Sequence, residues 1–197
     1  MCRFIETIQI GKGIVQNIHY HNQRMNNTRK EIFGLTEPLD LLDYIDVLQT
    51  GDCVKCRVIY GEEIQEVTYA AYTMRPVHSL RLVYSDLIEY QHKSLDREAL
   101  NELFSLRDTQ DDILIVKNNF LTDTSIGNIA LEKAGIWYTP ASPLLKGTKR
   151  AALLDKGVLQ EKEITVDEIY LYSHMMIFNA MIDFGSLTLE INVDTIR

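Results

Sequence analysis

Alternation with a period of two residues dominates the first eighty positions, and helical spacing interrupts it twice. Residues 4–10 read F-I-E-T-I-Q-I, Gly11-Lys12-Gly13 supplies a turn signal, and apolar residues resume from Ile14 to Ile18. That pattern predicts a β-hairpin. The polar segment H-Y-H-N-Q-R-M then places Met25, Thr28, Ile32 and Phe33 at helical spacing, with Gly34 as the stop. Residues 38–49 carry Leu41, Leu42, Ile45 and Leu48 on one helical face, between Pro38 and Gly51, and predict a second helix. Three alternating runs follow: C-R-V-I-Y, E-V-T-Y-A-A-Y and S-L-R-L-V-Y. They predict three antiparallel strands ending near Tyr84, so residues 1–84 read as a smaller α+β lobe.

Residues 85–92 show little periodicity and read as a connector, and residues 93–197 as a larger lobe. There, Leu95 to Leu106 predicts a helix with Ala99, Leu100, Leu103 and Phe104 inward. I-L-I-V at 113–116 predicts a buried strand, and Asn118-Asn119 a turn into F-L-T-D. N-I-A-L and I-W-Y-T-P predict two strands around Lys133-Ala134-Gly135. Gly147 opens a helix running through Leu154, Thr165 with Glu168 forms a capping box, and H-M-M-I-F-N-A-M predicts a further strand.

Composition narrows the function. At 197 residues and 46% hydrophobic, the chain can bury a sizeable core and is no disordered tail. A formal net charge of −8 argues against a nucleic-acid-binding face but leaves room for a local anion pocket. No apolar run reaches membrane-spanning length, and the opening Met1-Cys2-Arg3-Phe4 does not resemble a signal peptide. Three cysteines, an odd number in a chain that needs no staples, predict a reduced, cytoplasmic protein. Cys53 and Cys56 form C-x-x-C without a second ligand pair, on an alternating strand, so they read as structural and no metal is expected.

Two short motifs carry candidate chemistry. His92 to Arg97 reads H-K-S-L-D-R, with Lys93 just before an amphipathic helix. Phe120 to Asn128 reads F-L-T-D-T-S-I-G-N, and puts Asp123 on a tight turn after an apolar run. An acid and a lysine on separate elements can clamp a pyridine cofactor, the acid at the ring nitrogen and the lysine at the aldehyde. A solvated Lys93, and an Asp123 that bonds its own turn, are the plainer readings of the same residues. L-L-K-G-T-K-R sets Gly147 at a helix start, where backbone amides bind phosphate or are simply capped. Arg24 can give a bidentate charge to such a phosphate or lie at the surface.

Taken in order, these pieces resemble the class IV aminotransferase family of fold-type-IV pyridoxal-phosphate enzymes, nearest its 4-amino-4-deoxychorismate lyase branch. F-I-E-T with G-K-G-I resembles the family's opening hairpin, and His21-Asn22-Gln23-Arg24-Met25 its H-x-x-R-hydrophobic motif. Lys93-Ser94-Leu95-Asp96-Arg97 resembles K-x-L-N-R, and L-T-D-T-S-I-G-N resembles hydrophobic-T/S-E-x-x-x-x-N. Tyr138-Thr139-Pro140 and L-L-K-G-T-K-R resemble the T-P and L-x-G-[IVT]-x-R motifs. The resemblance implies an α+β, two-lobed fold of the D-amino-acid aminotransferase type, with pyridoxal 5'-phosphate in the interlobe cleft. It implies that Lys93 is the Schiff-base residue, that Arg24 binds the phosphate with the backbone at Thr148 and Lys149, and that Asp123 and Thr124 also contact the cofactor. It further implies a homodimer acting on a small molecule. The leading reaction converts 4-amino-4-deoxychorismate to 4-aminobenzoate and pyruvate, in folate biosynthesis. Transamination of branched-chain or D-amino acids, and a non-catalytic binding protein, are the alternatives. Asp123 stands where the family has Glu, and Asp96 where the lyase motif has Asn. No substrate carboxylate site is evident; Arg75, Arg81 and Arg97 are its candidates.

Overall fold

A computed structural model describes residues 2–47 and 53–197, and divides the chain into two compact units. The first is Met1–Met74 with His92–Asp96, and the second is Arg75–Gln91 with Arg97–Arg197.

In the first unit, β1 (Phe4–Gly11) and β2 (Ile14–Val15) form the expected hairpin. Lys12 and Gly13 both take positive φ, 51° and 76°, as the right-handed twist of a two-residue hairpin demands. The helix begins sooner than the pattern suggested: α1 spans Ile18–Phe33 and ends at Gly34, whose φ of 72° is the left-handed cap glycine favours. β3 (Val54–Tyr60) and β4 (Ile64–Ala71) complete a four-stranded sheet in the order β2-β1-β3-β4. Phe4, Ile8 and Ile10 from β1, Met25 from α1 and Cys56, Val58 and Tyr60 from β3 form the core.

The helix predicted over 38–49 is instead a single 3-10 turn, Leu41–Asp43, capped by the Asp40 side chain; Leu48 and Gly51 lie outside the described residues. The reason lies in α1. Asn22 Oδ1 accepts from the Leu41 amide, and Asn26 accepts from the Leu39 amide while donating to the Leu39 carbonyl. Backbone groups satisfied by side chains need no helix ladder.

The second unit is built on an eight-stranded sheet. Its strands are β5 (Leu80–Tyr84), β6 (Asp112–Lys117), β7 (Phe120–Thr124), β8 (Asn128–Lys133), β9 (Ile136–Pro140), β10 (Gln160–Lys162), β11 (His174–Phe178) and β12 (Thr188–Glu190). Here the strand ending at Tyr84 departs from expectation. β5 does not extend the antiparallel sheet of the first unit but pairs in parallel with β6, residue for residue from Leu80↔Asp112 to Tyr84↔Val116. Leu80 and Val83 are buried beside the I-L-I-V run, whose four residues are fully buried, as suits an interior strand with both faces covered. The expected boundaries at 84 and 92 therefore differ from this division, which ends the first body at Met74 and returns His92–Asp96 to it.

The helices of the second unit are α2 (Glu98–Ser105) and α3 (Thr148–Asp155). α2 starts three residues later than Leu95 and buries Leu100, while Ala99 is exposed. A 3-10 helix at Val166–Leu171 carries the expected Thr165–Glu168 capping box. Asn118 and Asn119 adopt positive φ between β6 and β7, as the turn requires.

Candidate active site

In the first unit the site grows out of one misfit. Glu6 occupies the apolar face of β1 with Phe4 and Ile8, and is completely buried. A carboxylate there must be paired. α1 supplies the partners three residues apart, on one helical face. Arg24 donates from Nε to Oε1 at 2.8 Å and from Nη2 to Oε2 at 2.5 Å, a bidentate fork. His21 Nδ1 lies 2.6 Å from Oε2. An ionised carboxylate has no proton to give, so Nδ1 is the donor. Burial on its own would raise the Glu6 pKa, but the Arg24 charge and the bond and charge of His21 overcome it and hold the carboxyl at about 2. Burial keeps His21 below its usual range; Glu6 opposes this, and the Arg24 and Lys93 charges add to it.

Lys93 belongs to the same body. The Ile5 amide donates to the Lys93 carbonyl at 2.9 Å, the Leu95 amide to the Arg3 carbonyl at 2.9 Å, and Phe4 bridges Ser94. The 92–96 segment is therefore strapped along β1 beside Glu6, and Lys93 is half-buried. Arg24, Lys93 and the unanticipated Glu6 and His21 thus form one cluster.

The second unit holds Asp123, and corrects its setting. It lies on strand β7 rather than on a turn, and is 5% exposed. Its carboxylate does not bond its own turn. Oδ1 accepts from Asn128 Nδ2 at 2.8 Å, and Oδ2 from the Leu145 amide at 2.9 Å. Burial raises its pKa to about 6, against the pull of the Leu145 amide, Asn128 and Arg150. Thr124 is buried, but its hydroxyl closes the next turn, donating to the Gly127 carbonyl and accepting from the amides of Ile126 and Gly127. α3 begins at buried Thr148 after Gly147, which offers no side-chain cap, and no acid occupies the first turn. That end of a helix favours an anion. A Cβ on Gly147 would stand 2.0 Å from Asn128 Oδ1, so glycine is required by close approach. Lys149 pairs with Asp183. Buried Arg150 donates to the Pro140 carbonyl and to Glu161.

The three candidate carboxylate-binding arginines are each engaged: Arg75 with buried Asp112, Arg81 with Asp108, and Arg97 with the Ser125 carbonyl. A cavity of about 390 Å³ in this unit, lined by Tyr90, Lys117, Phe120, Pro143 and Glu163 among others, includes none of the expected site residues. The cysteines are free; Cys56 is buried on β3, and burial pushes its thiol up to about 11, which suits a packing role. No helix among the described residues is long and apolar enough to cross a membrane.

Glu6, His21, Asn128 and Arg150 all stand inside quoted motifs, yet spacing assigned them no role. The available signal was an acid on the apolar side of an alternating strand, followed by H-x-x-R on one helix face.

The two-sheet α+β architecture is that of fold-type-IV pyridoxal-phosphate enzymes. Residues 62–188 match the family described as Amino-transferase class IV. An uncharacterized protein of Haemophilus influenzae is 34% identical over 92% of this chain and 98% of its own. A crystal structure from Haemophilus somnus, provisionally named a 4-amino-4-deoxychorismate lyase, is 30% identical, with a TM-score of 0.88 over 93% of this chain and 98% of that one. A pyridoxal-phosphate-bound hypothetical aminotransferase of Mycobacterium tuberculosis shares the fold at a TM-score of 0.78 and 16% identity, over 98% of this chain and 81% of that one. The chain belongs to the class IV aminotransferase family, and is an enzyme of that pyridoxal-phosphate-dependent type.

Proposed function

We propose that the enzyme is a lyase that converts 4-amino-4-deoxychorismate to 4-aminobenzoate and pyruvate. The observation that carries this reading is the likeness to the Haemophilus somnus protein at 30% identity over 93% of the chain. K-S-L-D-R at Lys93 and F-I-E-T at Glu6 agree with it.

The residues fit a pyridine aldehyde phosphate. A buried carboxyl at Asp123 suits a ring nitrogen, the Gly147–Thr148 helix start and Arg24 suit a phosphate dianion, and Lys93 supplies a primary amine. When bound, pyridoxal phosphate supplies an electron sink for the carbanion left by proton loss from the carbon bearing the substrate amine. In this reading Lys93 Nζ would hold the aldehyde group of the cofactor and would be freed for proton transfer once substrate is bound. Nζ then accepts the proton from that carbon. The ether C–O bond breaks with its electron pair on the enolpyruvyl oxygen, and the resulting enolate takes a proton on its methylene carbon to become pyruvate. The other product is aromatic, which draws the reaction forward. Arg24 and the amides at Thr148 and Lys149 would hold the phosphate, and Asp123 would favour a protonated ring nitrogen. The same reading carries a cytoplasmic homodimer serving folate biosynthesis.

Transamination is the second reading, since the family match alone supports it. The test is to supply purified holoenzyme with aminodeoxychorismate in the absence of any keto acid. Stoichiometric release of pyruvate and 4-aminobenzoate supports the lyase. A single half-turnover that stalls until a keto acid is added identifies a transaminase.

A further inference from the structure

We infer that Glu6 is a positioning residue whose buried carboxylate fixes both the guanidinium of Arg24 and the imidazole of His21 against the Lys93 segment, and so sets cofactor affinity and the charge under which Lys93 works. This rests on the reading of Lys93 as the cofactor-bearing residue. Nothing in the motif resemblance assigned Glu6 or His21 a function.

The geometry supports this in three steps. First, Glu6 spends both oxygens on α1, two bonds to Arg24 and one to His21, at 2.5–2.8 Å. Bidentate contact fixes the plane of the guanidinium, so the two N–H groups committed to Glu6, of the five the group carries, orient the others. Second, the adjacent residue of β1, Ile5, is hydrogen-bonded to the Lys93 backbone at 2.9 Å, so the strand that carries the anion also carries the lysine. Third, Glu6 is the anion set against Arg24. The charged and titratable groups of this cluster are His21, Arg24 and Arg29 from α1, Tyr60 from β3, and Lys93, whose charge acts on His21. Burial and Glu6 push the Tyr60 hydroxyl up, and burial keeps His21 low, so both are neutral near pH 7. Glu6 then offsets the Arg24 charge, in a cluster where the Lys93 charge is already felt at His21. Loss of the anion would leave Arg24 uncompensated, a field that opposes protonation of a neighbouring amine.

The test compares the full-length wild-type chain with Glu6→Gln and Glu6→Asp. It uses the dissociation constant for pyridoxal phosphate and the pH profile of borohydride trapping of the cofactor. Glu6→Gln is expected to raise the dissociation constant about tenfold or more, and to move the trapping profile to lower pH. Glu6→Asp keeps the charge but is one methylene too short to reach both partners, so affinity falls while the profile stays in place. If Glu6→Gln lowers only the unfolding midpoint, with affinity and profile unchanged where the chain is folded, the inference is overturned. If Glu6→Gln does not fold, Glu6→Asp decides, because unchanged affinity there refutes the positioning role. Lys93→Ala is the control for the reading beneath. Trapping that persists in Lys93→Ala, mapping to Lys117 or Lys149, sinks the Lys93 assignment itself, whereas loss of trapping in Lys93→Ala with an unaltered Glu6→Gln sinks only the role of Glu6.

Discussion

Glu6 in the first unit and Asp123 in the second are carboxyl groups at 0% and 5% exposure, and their acidities move in opposite directions, to about 2 and to about 6. Burial raises both. The difference is the company each keeps. Glu6 is met by a guanidinium and an imidazole, and a full positive charge 2.5 Å away outweighs desolvation. Asp123 is met by an amide side chain and a backbone N–H, whose dipoles do not repay the cost of burying a charge. One carboxyl is therefore a fixed anion that organises cations, and the other is a group whose proton is exchangeable near neutral pH. A fixed anion suits a clamp. An exchangeable proton suits a contact to a ring nitrogen whose charge must be shared.

The largest effect comes from taking away the fixed anion. Glu6→Leu leaves Arg24 and His21 facing an apolar group, and breaking a buried pair on one side costs about 3–5 kcal/mol. The pH dependence follows from the depressed pKa. The Glu6 carboxyl titrates at 4.5 ordinarily and at about 2 when folded, so its contribution is complete above 4.5 and is lost as pH falls through about 2. Urea unfolding of the wild type should weaken across that acid window, and the variant should lack this component. Equal unfolding free energies of the two proteins at pH 7 would mean that the clamp contributes nothing to stability.

Local rules carried much of this from the residues alone. The Lys12–Gly13 hairpin, the Gly34 stop, the Thr165–Glu168 box and the Gly147 helix start depend on neighbours within a few positions, and each stands where spacing put it. The motifs likewise identified the family. What the pattern could not supply were partnerships across sequence. β5 reads as one more alternating strand, and only its pairing with β6, some thirty residues on, moves it to the other sheet. The 38–49 segment has a helical stripe, but the side chains of Asn22 and Asn26 take its backbone groups. Glu6, His21 and Arg24 meet only after a strand and a helix pack, so an acid quoted inside F-I-E-T gave no hint that it grips the arginine of the next motif.

The exchangeable carboxyl gives the next effect. Asp123 titrates at 3.8 ordinarily and at about 6 when folded, so the folded state holds the extra proton between those values. Stability is then greatest below 3.8 and declines as pH rises through about 6, by about 2–3 kcal/mol at most. Cofactor-free Asp123→Asn should show no such slope in that window. In the holoenzyme, Asp123→Asn should keep trapping at Lys93 yet slow turnover, on the order of tenfold or more, because attachment does not need the ring proton but carbanion formation does. Turnover is compared at equal cofactor occupancy. An Asn variant as fast as the wild type would reduce Asp123 to a packing residue.

The smallest effect probes how Asp123 is held in place. Asn128 donates its amide both to Asp123 at 2.8 Å and to the Leu145 carbonyl at 2.8 Å, so it ties β8 to the carboxyl and to the loop before α3. Its Oδ1 faces Gly147 so closely that a methyl there would overlap it at 2.0 Å. Gly147 has φ −69°, a conformation open to any residue, so backbone strain does not enter and the cost of Gly147→Ala is purely steric. Asn128 must rotate or the α3 start must retreat. Rotation sacrifices one or both amide bonds, at about 1–2 kcal/mol in unfolding free energy. It also takes a hydrogen-bond donor from Asp123, so the pKa of that carboxyl should rise further and the stability decline above should shift to higher pH. Gly147→Ala combined with Asn128→Ala removes the overlap together with the donor. If the overlap is the whole cause, the double variant should be no less stable than Asn128→Ala alone. A double variant that is additively worse would show that Gly147 is needed for something other than room for Asn128.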